Sequence, residues 1–167
     1  RLPDIHQQFW TRNWEGREPG NDSLFDDIVV LHQCVNYIKD ILRGARGAGT
    51  QALIIADLGA GKLAVSRRLR ETFSTHKITA VDYAALRGKD IQLDEGVRFV
   101  RGSLEGLPLL SRHFDAVILK NSFEYALNKA AALQEANRVL KEGGRGIFIL
   151  HHPRSVITEY FRKKVEI

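Results

Sequence analysis

The sequence predicts an α/β fold: a doubly wound, mostly parallel sheet with helices on both faces. Three observations predict it. Short apolar runs alternate with stretches of helical periodicity. The first of these runs, Ala52–Ala56, is apolar at every residue, as a parallel strand buried on both faces should be. Acids and glycines collect where the runs end. Such strand-helix alternation builds a parallel sheet with right-handed crossovers.

Residues 1–22 are polar, carry two Trp and show no clean period; they read as an N-terminal arm or lid, with His6, Trp10 and Trp14 able to close over a site. Residues 23–167 read as one domain, within the ~100–200 residues typical of one. Ser23 is an N-cap, with Asp26 and Asp27 in the first turn. Phe25, Ile28, Val29, Leu31, Val35, Ile38, Ile41 and Leu42 then recur at helical spacing until Gly44 and Gly47-Ala48-Gly49 stop the helix. Ala52–Ala56 (ALIIA) is the first strand. Lys62–Phe73 is a helix with Leu63, Leu69 and Phe73 inward. Ile78–Val81, Val97–Val100 and Phe114–Leu119 are the second to fourth strands. Lys129–Lys141 is a helix closed by Gly143-Gly144, Gly146–Leu150 the fifth strand, and Ser155–Val165 a last helix after Pro153.

Composition excludes several classes. No apolar run approaches the ~20 residues of a membrane span, so no membrane partner is expected. A single cysteine, Cys34, forbids an internal disulfide and fits a reducing, cytoplasmic setting; within its helical pattern it reads as a buried structural thiol. The net charge of +5 attracts anions mildly, but the basic residues are scattered and no aromatics interleave with them, so nucleic acid is not favoured as a partner. The chain starts at Arg1 and holds no Met, so it is expected to be incomplete as written.

The chemistry centres on "IIADLGAGKLA", Ile54 to Ala64: a strand, a glycine turn and a helix start. A phosphate loop needs G-x-x-x-x-G-K-[ST], but Ala56 takes the first Gly position and Leu63 the hydroxyl position. The dinucleotide pattern G-x-G-x-x-G/A fits as Gly59, Ala60, Gly61 through Ala64, and keeps an NAD(P)-dependent oxidoreductase in view. Against it stands Asp57, whose carboxylate at the strand end repels a pyrophosphate and suits a cation. S-adenosylmethionine carries a sulfonium and an α-amino group, and its adenosine bears no phosphates. Asp82 ends the second strand, where a carboxylate can accept from both ribose hydroxyls.

From Ala52 to Leu150 the sequence resembles the class I S-adenosylmethionine-dependent methyltransferases, particularly the group acting on small molecules, with a Rossmann-like sheet. "DLGAGKL" looks like the family's [DE]-x-G-x-G-x-G loop, with Leu63 in place of the third Gly. "VDYA" resembles the acidic end of strand two, which implies ribose contact by Asp82 beside Tyr83. After strand three the family commonly has Gly-Asp, whose acid reaches the adenine amine; here Gly102 is followed by Ser103, which can accept, and Leu104, which can offer its amide. "ALQEANRVLKEGGRGIFIL" resembles the family's helix and turn before strand five, a structural signature that binds no ligand. The family usually adds an antiparallel hairpin at the sheet edge. Only 17 residues follow Leu150 and they read as a helix, so the hairpin is expected absent, and the last helix, a homodimer partner or further chain would cover that edge.

The resemblance implies methyl transfer to a small-molecule acceptor by in-line displacement. A general base is needed only if the acceptor must lose a proton. Asn121, after strand four, is the expected contact to the methionine end of the cofactor; Glu124 and Tyr125 are expected to meet the acceptor. His151, followed by His152 after strand five, is a candidate base; two adjacent His make a poor metal site, and no metal is expected. A catalytically inactive methyltransferase-like binding or assembly domain is the remaining alternative.

Overall fold

In a computed structural model the protein is described over residues 7–8, 11, 28–44, 52–84 and 96–150. The expected N-cap Ser23, the lid residues His6, Trp10 and Trp14, the pair His151-His152 and the last helix 155–165 lie outside the described residues.

Five strands form one sheet: β1 Ile54–Leu58, β2 Lys77–Asp82, β3 Val97–Arg101, β4 Phe114–Lys120 and β5 Leu140–Ile149. Their order is β3-β2-β1-β4-β5, and every pairing is parallel. The α-helices α1 Ile28–Gly44, α2 Ala64–Thr72 and α3 Lys129–Val139 pack on it.

Strand side chains alternate between two cores. Ile55, Ile78, Ala80, Ala116 and Ile118 pack with Leu31, Val35, Ile38 and Leu42 of α1 and Val65 and Leu69 of α2. Ala56, Leu58, Val81, Val117 and Leu119 face the opposite way, against Ala136 and Val139 of α3. Burial on both faces explains why the central strands read as nearly continuous apolar runs, broken within β1 by Asp57 and within β4 by Asp115. Cys34 is half-buried rather than buried, because it sits beside, not within, the α1 stripe.

Three expected boundaries are corrected: the end of α3, the start of β5 and the start of α2. Helix α3 ends at Val139, and Leu140 already adopts an extended conformation (φ −68°, ψ 139°). Gly143-Gly144 therefore does not cap the helix. It sits in an irregularity of β5: Leu140 pairs with Phe114, then Arg145 with Ala116, and the residues between bulge out, with Gly143 at φ 72°. The bulge is fastened by Lys141, whose Nζ lies 3.0 Å from Asp115 Oδ1, while Asp115 Oδ2 accepts from the Ile54 amide at 2.9 Å. Helix α2 starts at Ala64 because Leu63 is left-handed, at φ 68°.

Candidate functional site

The carboxyl ends of β1 to β4 open onto one cleft of about 560 Å3, measured out to bulk solvent. Between β1 and β4 the strand order reverses, and ligands of open α/β sheets bind at such a point. Gly59 behind β1, Asp82 and Tyr83 at the end of β2, and Gly102 to Glu105 behind β3 line the cleft. Asn121, Ser122, Tyr125 and Ala126 complete it from β4.

The glycine turn is pinned from two sides. Gly59 adopts φ 72°, and a Cβ there would lie 2.3 Å from Ser122 Cβ, so the β1 and β4 exits touch only because Gly59 has no side chain. Ser122 Oγ donates to the Leu58 carbonyl at 2.8 Å. From the other side, the Gly59 and Ala60 amides both donate to the Val81 carbonyl (2.7 and 3.0 Å), and the Gly61 amide to Asp82 Oδ2 at 2.8 Å. These three N–H groups face β2. In a phosphate-binding turn they would face the ligand.

Asp57 completes this reversal. It is 2% exposed, and its Oδ2 accepts from Ser66 Oγ at 2.6 Å, in the first turn of α2. The Ser66 amide also donates to it. The chain's own carboxylate thus holds the helix N-terminus, where an anionic ligand would otherwise sit. Burial pushes its pKa up to about 6, with Asp82 adding to the rise, against the Ser66 hydrogen bonds and the charge of Lys120, which pull it down.

Asp82 is 7% exposed, and burial raises its pKa against hydrogen bonds from the Ala84, Gly61 and Tyr83 amides. Oδ1 accepts from Ala84 at 2.8 Å and Oδ2 from Gly61, and with Tyr83 as the third amide donor one of the carboxylate's four lone pairs is left over. Gln7 of the arm donates to the Tyr83 carbonyl at 3.4 Å, so that part of the arm reaches the β2 side of the cleft.

Behind β3, Ser103 donates its hydroxyl proton to Glu105 Oε2. Oε1 of Glu105 accepts from the amides of Leu127 (2.7 Å) and Asn128 (3.4 Å). Burial raises the Glu105 pKa, but these hydrogen bonds outweigh it and hold the carboxyl below its usual range. Behind β4, Asn121 is left-handed at φ 52°, and its amide donates to the Ile149 carbonyl at 2.7 Å. Phe123–Tyr125 forms a single 3-10 turn. Burial, and then the Glu124 carboxylate, raise the Tyr125 pKa, so its phenol stays protonated at neutral pH.

The cleft brings together Gly59, Asp82, Tyr83, Ser103, Leu104, Asn121 and Tyr125 of the expected site residues. Asp57, Ala60, Gly61 and Glu124 are not part of this lining, and His151 lies outside the described residues. The sequence reading missed Gly102, Glu105, Ser122 and Ala126 as lining residues. Ser122 had a signal, its place directly after strand four; Glu105 had none, since a single loop acid normally reads as solvated. Among the described residues no group of three or more His, Cys, Asp or Glu could hold a metal, and no helix is long and apolar enough to cross a membrane.

A family model described as a methyltransferase domain matches residues 56–148. The malonyl-[acyl-carrier protein] O-methyltransferase of Methylococcus capsulatus is 30% identical over 143 residues, 82% of this chain and 51% of that protein. A ubiquinone/menaquinone biosynthesis C-methyltransferase of Pseudomonas putida is 36% identical over 130 residues, 73% of this chain and 50% of its own length. The chain therefore spans about half the length of these curated relatives. A putative S-adenosyl-L-methionine-dependent methyltransferase from Methanococcus maripaludis shares the fold, with a TM-score of 0.61 at 20% identity over 91% of this chain and 76% of that one.

Proposed function

Since the chain belongs to the class I S-adenosylmethionine-dependent methyltransferase superfamily, we propose that it transfers a methyl group from S-adenosylmethionine to a small-molecule acceptor. The observation that carries this reading is the glycine turn. Its amides are spent on β2 and Asp57 holds the α2 N-terminus, so the turn is hostile to phosphate and open to an uncharged nucleoside with a cationic tail. The same observation counts against an NAD(P)-dependent oxidoreductase.

In this reading Asp82 accepts from the ribose with its remaining lone pair, Tyr83 borders the nucleoside, and Ser103 and Leu104 border the adenine. Asn121 meets the methionine end, and the charge of Asp57 behind the turn favours its cationic groups. When bound, the cofactor supplies an activated methyl whose displacement releases a neutral thioether, so no acid is required. The chain's task is to align the acceptor, which can contribute ~7–11 kcal/mol. Tyr125, held as a phenol, orients the acceptor as a hydrogen-bond donor beside Glu124. His151 is the proposed base where the acceptor must lose a proton. The relatives' names cover O- and C-methylation, so the acceptor atom is not fixed by kinship.

Calorimetry with S-adenosylhomocysteine and, separately, NADH tests the proposal. Binding of the first and not the second is expected; NADH binding without S-adenosylhomocysteine binding would overturn it.

A further inference from the structure

We propose that Glu105 is a positioning residue that fastens the two walls of the cleft to each other, and so sets the spacing between the nucleoside side and the acceptor side. The inference rests on the reading of this cleft as the S-adenosylmethionine site. One wall is the turn behind β3, closed by the Ser103–Gly106 bridge, in which the Gly106 amide donates to the Ser103 carbonyl at 3.2 Å. The other is the segment behind β4 that carries Asn121, Ser122 and Tyr125 and runs into α3. The backbone hydrogen bonds of the two walls run elsewhere: Gly106 donates to Ser103, Asn121 to Ile149, Tyr125 to Ser122 and Ala126 to Phe123. The Glu105 carboxylate spans the walls, taking the Ser103 hydroxyl with one oxygen and the Leu127 and Asn128 amides with the other.

The placement suits a clamp. Leu127 and Asn128 lie where the 3-10 turn gives way to α3, and the Asn128 side chain caps that helix by accepting from the Ala131 amide at 3.0 Å. Holding these two amides fixes the point about which the Asn121–Ala126 wall would swing. The hydrogen bonds are charge-assisted, the strong kind. Ser103 stands where the resemblance implies an acid, and its proton is committed to Glu105, so the negative charge at this corner is used to join the walls.

The test compares Glu105→Ala and Glu105→Gln with the wild type by calorimetry with S-adenosylhomocysteine and by amide exchange over residues 121–128. Glu105→Ala should weaken binding about tenfold, the worth of one strong hydrogen bond, and speed exchange at Leu127 and Asn128. Glu105→Gln keeps a carbonyl for both amides and should restore affinity to within about threefold of the wild type. Wild-type affinity in Glu105→Ala, a Gln variant no better than the Ala variant, or faster exchange spread evenly over the sheet would overturn the clamp. A wild type that binds no S-adenosylhomocysteine would overturn the cofactor reading instead, and the exchange comparison would still decide the clamp.

Discussion

Asp57 costs the fold something that its position makes worthwhile. Its pKa is raised from 3.8 to about 6, chiefly by burial. Between those values the folded protein holds a proton that the unfolded chain has released. The associated stability is fully present below pH 3.8 and is lost as pH rises through about 6. Urea unfolding at pH 3.5 and pH 7 should therefore show Asp57→Asn gaining about 3 kcal/mol on the wild type across that interval. The variant should also lose the acid-side weakening of S-adenosylhomocysteine affinity expected of the wild type below pH 6. Leu63 is a second compromise. Its φ of 68° explains why the related loops carry Gly at this place, yet the side chain is fully buried beneath α1 and α2. Relief of left-handed strain is worth ~1–2 kcal/mol and loss of a buried Leu ~2–5, so Leu63→Gly should lower unfolding stability by about 1–3 kcal/mol, read as a urea midpoint shift.

At the scale of elements, α3 does more than cover the sheet. Arg138 grips Glu135 through Nε and Nη2, and reaches the Leu107 and Leu109 carbonyls and Ser111 Oγ with its remaining donors. Glu135 in turn accepts from the Leu107 amide at 2.7 Å. The pair docks the whole β3–β4 connection onto the helix. Lys cannot reproduce the planar fork, so Arg138→Lys should cost about 1–3 kcal/mol in urea unfolding. Strands β1, β2 and β4 were legible to within two residues because burial on both faces leaves a nearly continuous apolar signature, and the edge strand β3 through its β-branched and aromatic Val97, Phe99 and Val100. The start of β5 was not. Leu140 pairs with β4, but Lys141 to Gly144 interrupt the run, and glycines mark a turn without saying which element owns it. The α2 start was misread by two residues because a left-handed Leu leaves no mark in a hydrophobic pattern.

Across the whole molecule, the strand-end acids of the central sheet and the glycine turn lie together at the carboxyl ends of β1 and β2, where their spacing in sequence predicted them. The coupling across the cleft was illegible, because Glu105 meets partners 22 and 23 residues away that are backbone amides and leave no side-chain signal. Saturating S-adenosylhomocysteine at about 100 times its Kd should add about 2.7 kcal/mol and raise Tm by roughly 5–10 °C, measured by scanning calorimetry. The inward-facing amides of the glycine turn have one more consequence. Inside a cell, free adenosine derivatives are vastly outnumbered by ATP, ADP and the pyridine nucleotides, all sharing the same base and sugar. A pocket that recognised only that shared part would sit occupied by bystanders. With its donors turned toward β2 and Asp57 at the head of α2, this pocket gives a polyphosphate no foothold and meets it with negative charge, so methyl transfer should proceed at an undiminished rate in an excess of ATP.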